Sequence, residues 1–167
     1  MSQRTTTVRD FVGAAVAVAA AAIPGLARAD DPPTRKPGLW EITTSMKGAP
    51  TTQMCVDAAS EATFNAMGTG TMKDTCSKFE SHRDGGVYTQ DSVCKLMGST
   101  LTSHTVMTVV SDAEYKVEVA SHYDPPLMAS ADSTMTLNGK WIGPCGPEMK
   151  PGDMMMNGRK FHPGAQQ

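Results

Sequence analysis

The four cysteines are the residues of this chain whose chemistry is easiest to predict: Cys55, Cys76, Cys94 and Cys145. A structural zinc site needs close pairs such as C-x-x-C, and these cysteines lie far apart along the chain. An even number of cysteines in an exported chain favours two disulfides instead. Of the three possible pairings, we favour Cys55–Cys76, which would bracket a short helix, and Cys94–Cys145, which would join a middle strand to the last one.

Methionine and histidine supply the other candidate ligands. Met154, Met155 and Met156 are consecutive, His162 follows closely, and soft thioethers bind Cu(I). Three consecutive side chains point in different directions, however, and a Met run also suits a flexible segment or a gap in a core. The histidines lack the spacing of metal motifs and are expected to be polar residues on strand faces: His82, His104, His122 and His162. We predict no metal site and no cofactor, with copper handling by the Met-rich tail as the alternative.

Motifs for covalent catalysis are absent from the sequence. It contains no G-x-S-x-G nucleophile elbow, and each cysteine has a disulfide partner among the other three. Gly68-Thr69-Gly70 lacks the Gly-Lys-Ser/Thr end of a phosphate-binding loop and follows a predicted helix instead of preceding one. We therefore predict no catalytic residues and a non-enzymatic protein.

The first 29 residues predict a cleavable export signal. Arg4 and Arg9 precede an apolar stretch from Phe11 to Ile23, and Ala27-Arg28-Ala29 offers small residues for signal peptidase. The apolar stretch is shorter than the ~20 residues that a bilayer span needs. We therefore predict cleavage after Ala29, a periplasmic or secreted protein, and no membrane anchor after cleavage.

The rest of the chain is expected to be one mildly acidic domain. Removing Arg4, Arg9, Arg28 and Asp10 from the 15 basic and 17 acidic residues leaves 12 and 16, a net charge near −4. Because no basic cluster is left, nucleic acid is not an expected partner. We predict a leader at 30–36, a β-rich disulfide-braced domain at 37–145, and a flexible tail at 146–167 rich in Met, Gly and Pro.

Alternating apolar and polar residues predict that most of this domain is β-strand. Within 39–46, Trp40, Ile42 and Met46 fall on one face, and 115–120 alternates as cleanly. Further strands are predicted at 51–56, 76–82, 87–94, 104–110, 134–137 and 140–142. Short connections favour antiparallel pairing. The predicted fold is mainly β: an antiparallel meander, as a curved sheet or two-layer half-barrel, with one short helix and two disulfides.

Helix and turn signals lie between these strands. Asp57 caps a predicted helix over 58–67, which Gly68 and Gly70 end. Asp84-Gly85 is a strong signal for a hairpin between the strands on either side of it.

Two tryptophans are expected to supply much of the core. Trp40 and Trp141 lie near opposite ends of the domain sequence, and large aromatic side chains contribute much of the burial in a small protein. We expect them in the interior or over the open end of the sheet, with a ligand-stacking pair as the alternative. Asn138-Gly139 is expected to form a turn or bulge just before the last strand.

Several segments together resemble a known family. They are Lys36-Pro37-Gly38-Leu39-Trp40-Glu41-Ile42-Thr43, Met54-Cys55-Val56-Asp57, the two middle cysteines, and Asn138-Gly139-Lys140-Trp141-Ile142-Gly143-Pro144-Cys145. Over residues 36–145 the chain resembles the bacterial "domain of unknown function 3617" family. The resemblance implies an exported, mostly Gram-negative protein without an assigned activity, and it brings no catalytic residues.

By elimination, we expect a non-enzymatic periplasmic or secreted domain that binds a small apolar ligand or a protein partner. The compartment and the lack of catalytic motifs support this hypothesis. Met149–Met156 and the tail to Gln167 extend past the usual end of the family, so the resemblance is silent on the copper alternative.

Overall fold

The computed structural model describes residues 31–127 and 130–163, with side chains except at 67–73. The predicted export signal and its cleavage after Ala29 lie outside these residues, as does the end of the tail from 164 to 167. Within the described part, no helix has the length and apolar character needed to cross a membrane.

Nine antiparallel strands form one sheet, whose order is β3-β4-β5-β6-β7-β1-β2-β8-β9. Strands β3 to β7 follow one another both in sequence and in space, so the prediction of a mainly β antiparallel meander is confirmed. The strands are β1 (Gly38–Thr44), β2 (Thr52–Val56), β3 (Cys76–Asp84), β4 (Val87–Leu96), β5 (Ser99–Ser111), β6 (Glu114–Leu127), β7 (Ser130–Gly143), β8 (Met154–Met156) and β9 (Arg159–Phe161).

The single helix of the described residues, α1 (Ala58–Thr75), connects β2 to β3 and is longer than expected. Its start is capped reciprocally, because Asp57 Oδ1 accepts the Ser60 N–H at 2.8 Å and Ser60 Oγ accepts the Asp57 N–H at 2.9 Å. The predicted end at Gly68 and Gly70 is wrong. Five strands lie between β2 and β3 in the sheet, so the axes of these two strands are roughly 29 Å apart at the usual strand spacing. A helix of 18 residues is about 27 Å long and covers most of that distance. The distance to be bridged thus outweighs the weak helix propensity of glycine.

The core lies over β1 and β2, and Tyr115 of β6 reaches it across Gly139 of β7. Trp40 is 2% exposed and packs with Met54, Val56 and Tyr115, and its ring centroid is 5.3 Å from that of Tyr115. Trp141 faces Trp40 across the β1–β7 pair and is half-buried, with the Lys36 ammonium 4.1 Å from its ring centroid. The indole N–H of Trp40 donates to the Lys36 carbonyl, and the indole N–H of Trp141 donates to the Pro37 carbonyl.

The disulfides are Cys55–Cys145 and Cys76–Cys94, so the expected pairing of Cys55 with Cys76 and of Cys94 with Cys145 is wrong. Cys76 and Cys94 are opposite each other in the β3–β4 hairpin, and we name this bond the hairpin disulfide. Cys55 and Gly143 both pair with Leu39, from opposite sides of β1. The chain leaving β7 therefore passes the end of β1 on its way to β8, which brings Cys145 to Cys55 in the tail disulfide.

Two segments expected outside the sheet are part of the fold. The described part of the expected flexible tail forms β8 and β9, and β8 pairs with β2. The leader packs on the domain through the buried Pro33 and through Arg35.

Gly139 lies inside β7, not at the turn or bulge expected there. It pairs with Tyr115 of β6, and the aromatic ring of Tyr115 occupies the space where a side chain at residue 139 would begin. The glycine thus allows a close approach of the ring to the backbone.

Candidate ligand-binding cleft

A cleft of about 230 Å³ lies between the first turns of α1 and the segment around β8 and β9. Its apolar walls come from Ala59 and Phe64 on α1 and from Pro151 and Pro163 on the C-terminal segment. Polar groups from both sides also line it: Asp57, Ser60, Thr63 and His162. The volume is slightly below the ~300 Å³ at which pockets for drug-sized ligands begin. The cleft therefore suits a ligand of few atoms.

The two walls of the cleft are tied together through Cys55. The tail disulfide joins this residue to Cys145, just ahead of the C-terminal wall. The Gly152 N–H donates to the Cys55 carbonyl at 2.8 Å, and the Cys55 N–H donates to the Asp153 carbonyl at 2.9 Å. Since α1 begins three residues after Cys55, these bonds set the spacing between the walls.

His162 is oriented by a buried carboxylate. Asp153 is 8% exposed, and its Oδ1 lies 3.1 Å from Nδ1 of His162, while its Oδ2 accepts the Lys150 N–H at 2.8 Å. The Lys150 hydrogen bond and then the His162 hydrogen bond hold the pKa of Asp153 below its ordinary value. An ionised carboxylate at this position fixes the orientation of the ring.

Gly152 makes room for the same imidazole. Its φ is +91°, and a Cβ built there would lie 2.6 Å from His162 Cε1. A side chain at residue 152 would therefore push the ring out of its position beside the cleft.

A buried ion pair anchors the first turn of α1 to the leader and the core. Arg35 Nη2 donates to Glu61 Oε2 at 2.6 Å, and the two side chains are 13% and 6% exposed. Burial alone lowers the pKa of Arg35, but the hydrogen-bonded Glu61 carboxylate outweighs it, so this pKa lies above its ordinary value. Burial also raises the pKa of Tyr115, which the neighbouring Arg35 offsets only in part. The ion pair positions the α1 wall of the cleft.

The speculative copper ligands do not converge. Met154, Met155 and Met156 form β8, where successive side chains point to opposite faces, and Met154 packs against the core. His162 is instead held by Asp153. Among the described residues, no group of three or more His, Cys, Asp or Glu side chains is placed to hold a metal ion.

The residues that build the cleft and its support were largely missed by sequence reasoning. The sequence indicates His162 only as a polar strand-face residue or a speculative copper ligand. No local pattern marks Arg35, whose partner Glu61 is 26 residues away, or Asp153, which bonds a turn and His162. One usable signal was present: Asn157-Gly158 is a strong hairpin dipeptide, and both residues have positive φ between β8 and β9.

Comparison with known proteins gives a family without an assigned activity. No curated protein and no solved structure matches the chain. A family model described as "Protein of unknown function (DUF3617)" matches residues 35–145. That range includes Arg35, α1 and all four cysteines, whereas the C-terminal wall of the cleft lies beyond it. The chain therefore belongs to the DUF3617 family of proteins of unknown function.

Proposed function

We propose that this protein is a non-enzymatic binding domain whose ligand is a small molecule with an apolar part and one hydrogen-bonding group. The observation that carries the proposal is the cleft between α1 and the C-terminal segment, with its apolar walls and one oriented imidazole. Binding sites typically combine a mostly apolar lining with a few fixed polar groups.

The chemistry of His162 suggests the polar part of the ligand. When the ring is neutral, its Nδ1–H donates to Asp153, so Nε2 is the acceptor nitrogen. A ligand hydroxyl or amide N–H is the matching donor. Phe64 and the two prolines supply the surface against which an aromatic or short aliphatic group packs.

We further propose that the protein works in the periplasm or after secretion, with its signal cleaved after Ala29. The two disulfides support an oxidising, exported environment. Peptide mapping of protein isolated from the periplasm tests this, and an N-terminus at Met1 would contradict it.

Phenol and benzyl alcohol are suitable first probes, because each combines a ring with a single hydroxyl. Titration into isotopically labelled protein with both disulfides formed is followed by amide chemical shifts. We expect saturable shifts centred on the cleft, with millimolar dissociation constants, equivalent to about −4 kcal/mol.

Two tryptophan substitutions on α1 provide a matched comparison. Ala59→Trp fills the cleft and should abolish the shifts, whereas Ala62→Trp, an exposed position that does not line the cleft, should leave them unchanged. Absence of saturable shifts in the wild type, or equal effects of the two substitutions, would overturn the proposal.

A further inference from the structure

Two histidine–aspartate pairs lie side by side on one face of the sheet, away from the cleft. His104 Nδ1 is 2.8 Å from Asp91 Oδ1, and His122 Nδ1 is 2.7 Å from Asp132 Oδ1. Each pair is a direct cross-strand pair, the first on β5 and β4 and the second on β6 and β7. The four side chains are all exposed.

Strand register brings the two histidines together. His104 is opposite Ala120 and Thr102 is opposite His122, so the histidines are diagonal neighbours on β5 and β6 and share a face. Diagonal positions are about 7–8 Å apart, which is within reach of long side chains. Both pairs line one depression of about 310 Å³.

Each histidine uses its Nδ1 to bond an aspartate, so Nε2 is the ring nitrogen that remains for a ligand. The aspartates lie on the two outer strands, and each histidine turns its Nδ1 toward its aspartate. Nε2 is across the imidazole ring from Nδ1. Because the aspartates lie on β4 and β7 and the histidines on the two strands between them, each Nε2 is on the part of its ring that does not bond the aspartate.

We propose that His104 and His122 bind a divalent transition-metal ion of the Zn²⁺ type through their Nε2 atoms. A histidine that ligates a metal usually donates its other N–H to a carboxylate, as both histidines do here. The two carboxylates also supply negative charge beside the cation. Since the described residues offer no cluster of three such ligands, water or a small anion completes the coordination.

Zinc titration of the full chain with both disulfides formed tests the proposal. Calorimetry should give one Zn²⁺ per chain, and the ring proton signals of His104 and His122 should shift together. His104→Ala and His122→Ala should each weaken binding by about 100-fold or more, and Asp91→Asn or Asp132→Asn by about 10- to 100-fold.

His82→Ala is the matched control, because it removes a histidine that does not line this depression and should leave zinc affinity unchanged. The proposal is overturned if the wild type binds no Zn²⁺ at millimolar concentration. It is equally overturned if His82→Ala weakens binding as much as His104→Ala, or if His104→Ala and His122→Ala leave it intact.

Discussion

Replacing Gly139 with alanine should destabilise the protein although alanine is the better residue for an extended strand. The Cβ of the new side chain would collide with the ring of Tyr115, and the hydroxyl oxygen would lie only 2.6 Å away. The ring is 8% exposed, with Trp40 packed against it, so it has little room to move.

The expected magnitude follows from two opposing effects. Overpacking a core by one methyl group costs about 1–3 kcal/mol. Removing the conformational freedom of glycine gains about 0.5–1 kcal/mol. We therefore expect Gly139→Ala to lower the free energy of unfolding by about 1–2 kcal/mol.

Urea denaturation monitored by tryptophan fluorescence and circular dichroism measures this change, and a second substitution tests its cause. In a Tyr115→Leu background the collision is gone, so Gly139→Ala should become neutral or stabilising. In a Tyr115→Phe background the ring stays, so the full loss should persist. Gly146→Ala is the control, because a Cβ there meets no atom within 4 Å. An equal loss in the Leu and Phe backgrounds would refute the steric explanation.

Three further predictions concern the same free energy of unfolding. Replacing both cysteines of the tail disulfide with alanine should lower it by about 4.6 kcal/mol, and the same change at the hairpin disulfide by about 3 kcal/mol. The difference arises because the first disulfide closes a loop of 90 residues and the second a loop of 18. Equal losses would contradict this entropic explanation. Glu61→Leu should lower the free energy of unfolding by about 3 kcal/mol, because it leaves Arg35 buried and unpaired. Adding Arg35→Met should restore most of this loss. A double variant no more stable than Glu61→Leu would show that the loss does not come from the unpaired arginine. Because the pKa of Asp153 is lowered on folding, its stabilising contribution is present above about pH 4 and is lost as pH falls through the folded-state pKa. Asp153→Asn should therefore reduce the dependence of the free energy of unfolding on pH between pH 7 and pH 2.5. A pH dependence equal to that of the wild type would exclude a contribution from the Asp153 carboxylate.

Local features of the fold were predictable because neighbouring residues specify them. Asp84-Gly85 predicts the β3–β4 hairpin, and Gly85 there has a φ of +56°. Extending that hairpin residue by residue also places Cys76 nearly opposite Cys94, so the hairpin disulfide was within reach of sequence reasoning. The predicted Cys55–Cys76 bond around the helix is wrong because the register of the β3–β4 hairpin places Cys76 opposite Cys94.

The pairings between strands that are distant in sequence could not be predicted from the spacing of residues. Placement of β1 between β7 and β2 decides the tail disulfide, and pairing of β8 with β2 forms one wall of the cleft. Strand order depends on which arrangement buries the apolar faces of all strands together, and no short segment carries that information.

The cysteines show most clearly which features local sequence predicts and which depend on strand pairing. The residues alone predict that four cysteines in a β-rich chain form two disulfides, and that the chain resembles a family without assigned activity. The bond between Cys55 and Cys145 follows instead from the strand order, as does the diagonal arrangement of His104 and His122. Hydrogen-bonded register between strands brings together residues that are distant along the chain, and no local pattern predicts such contacts.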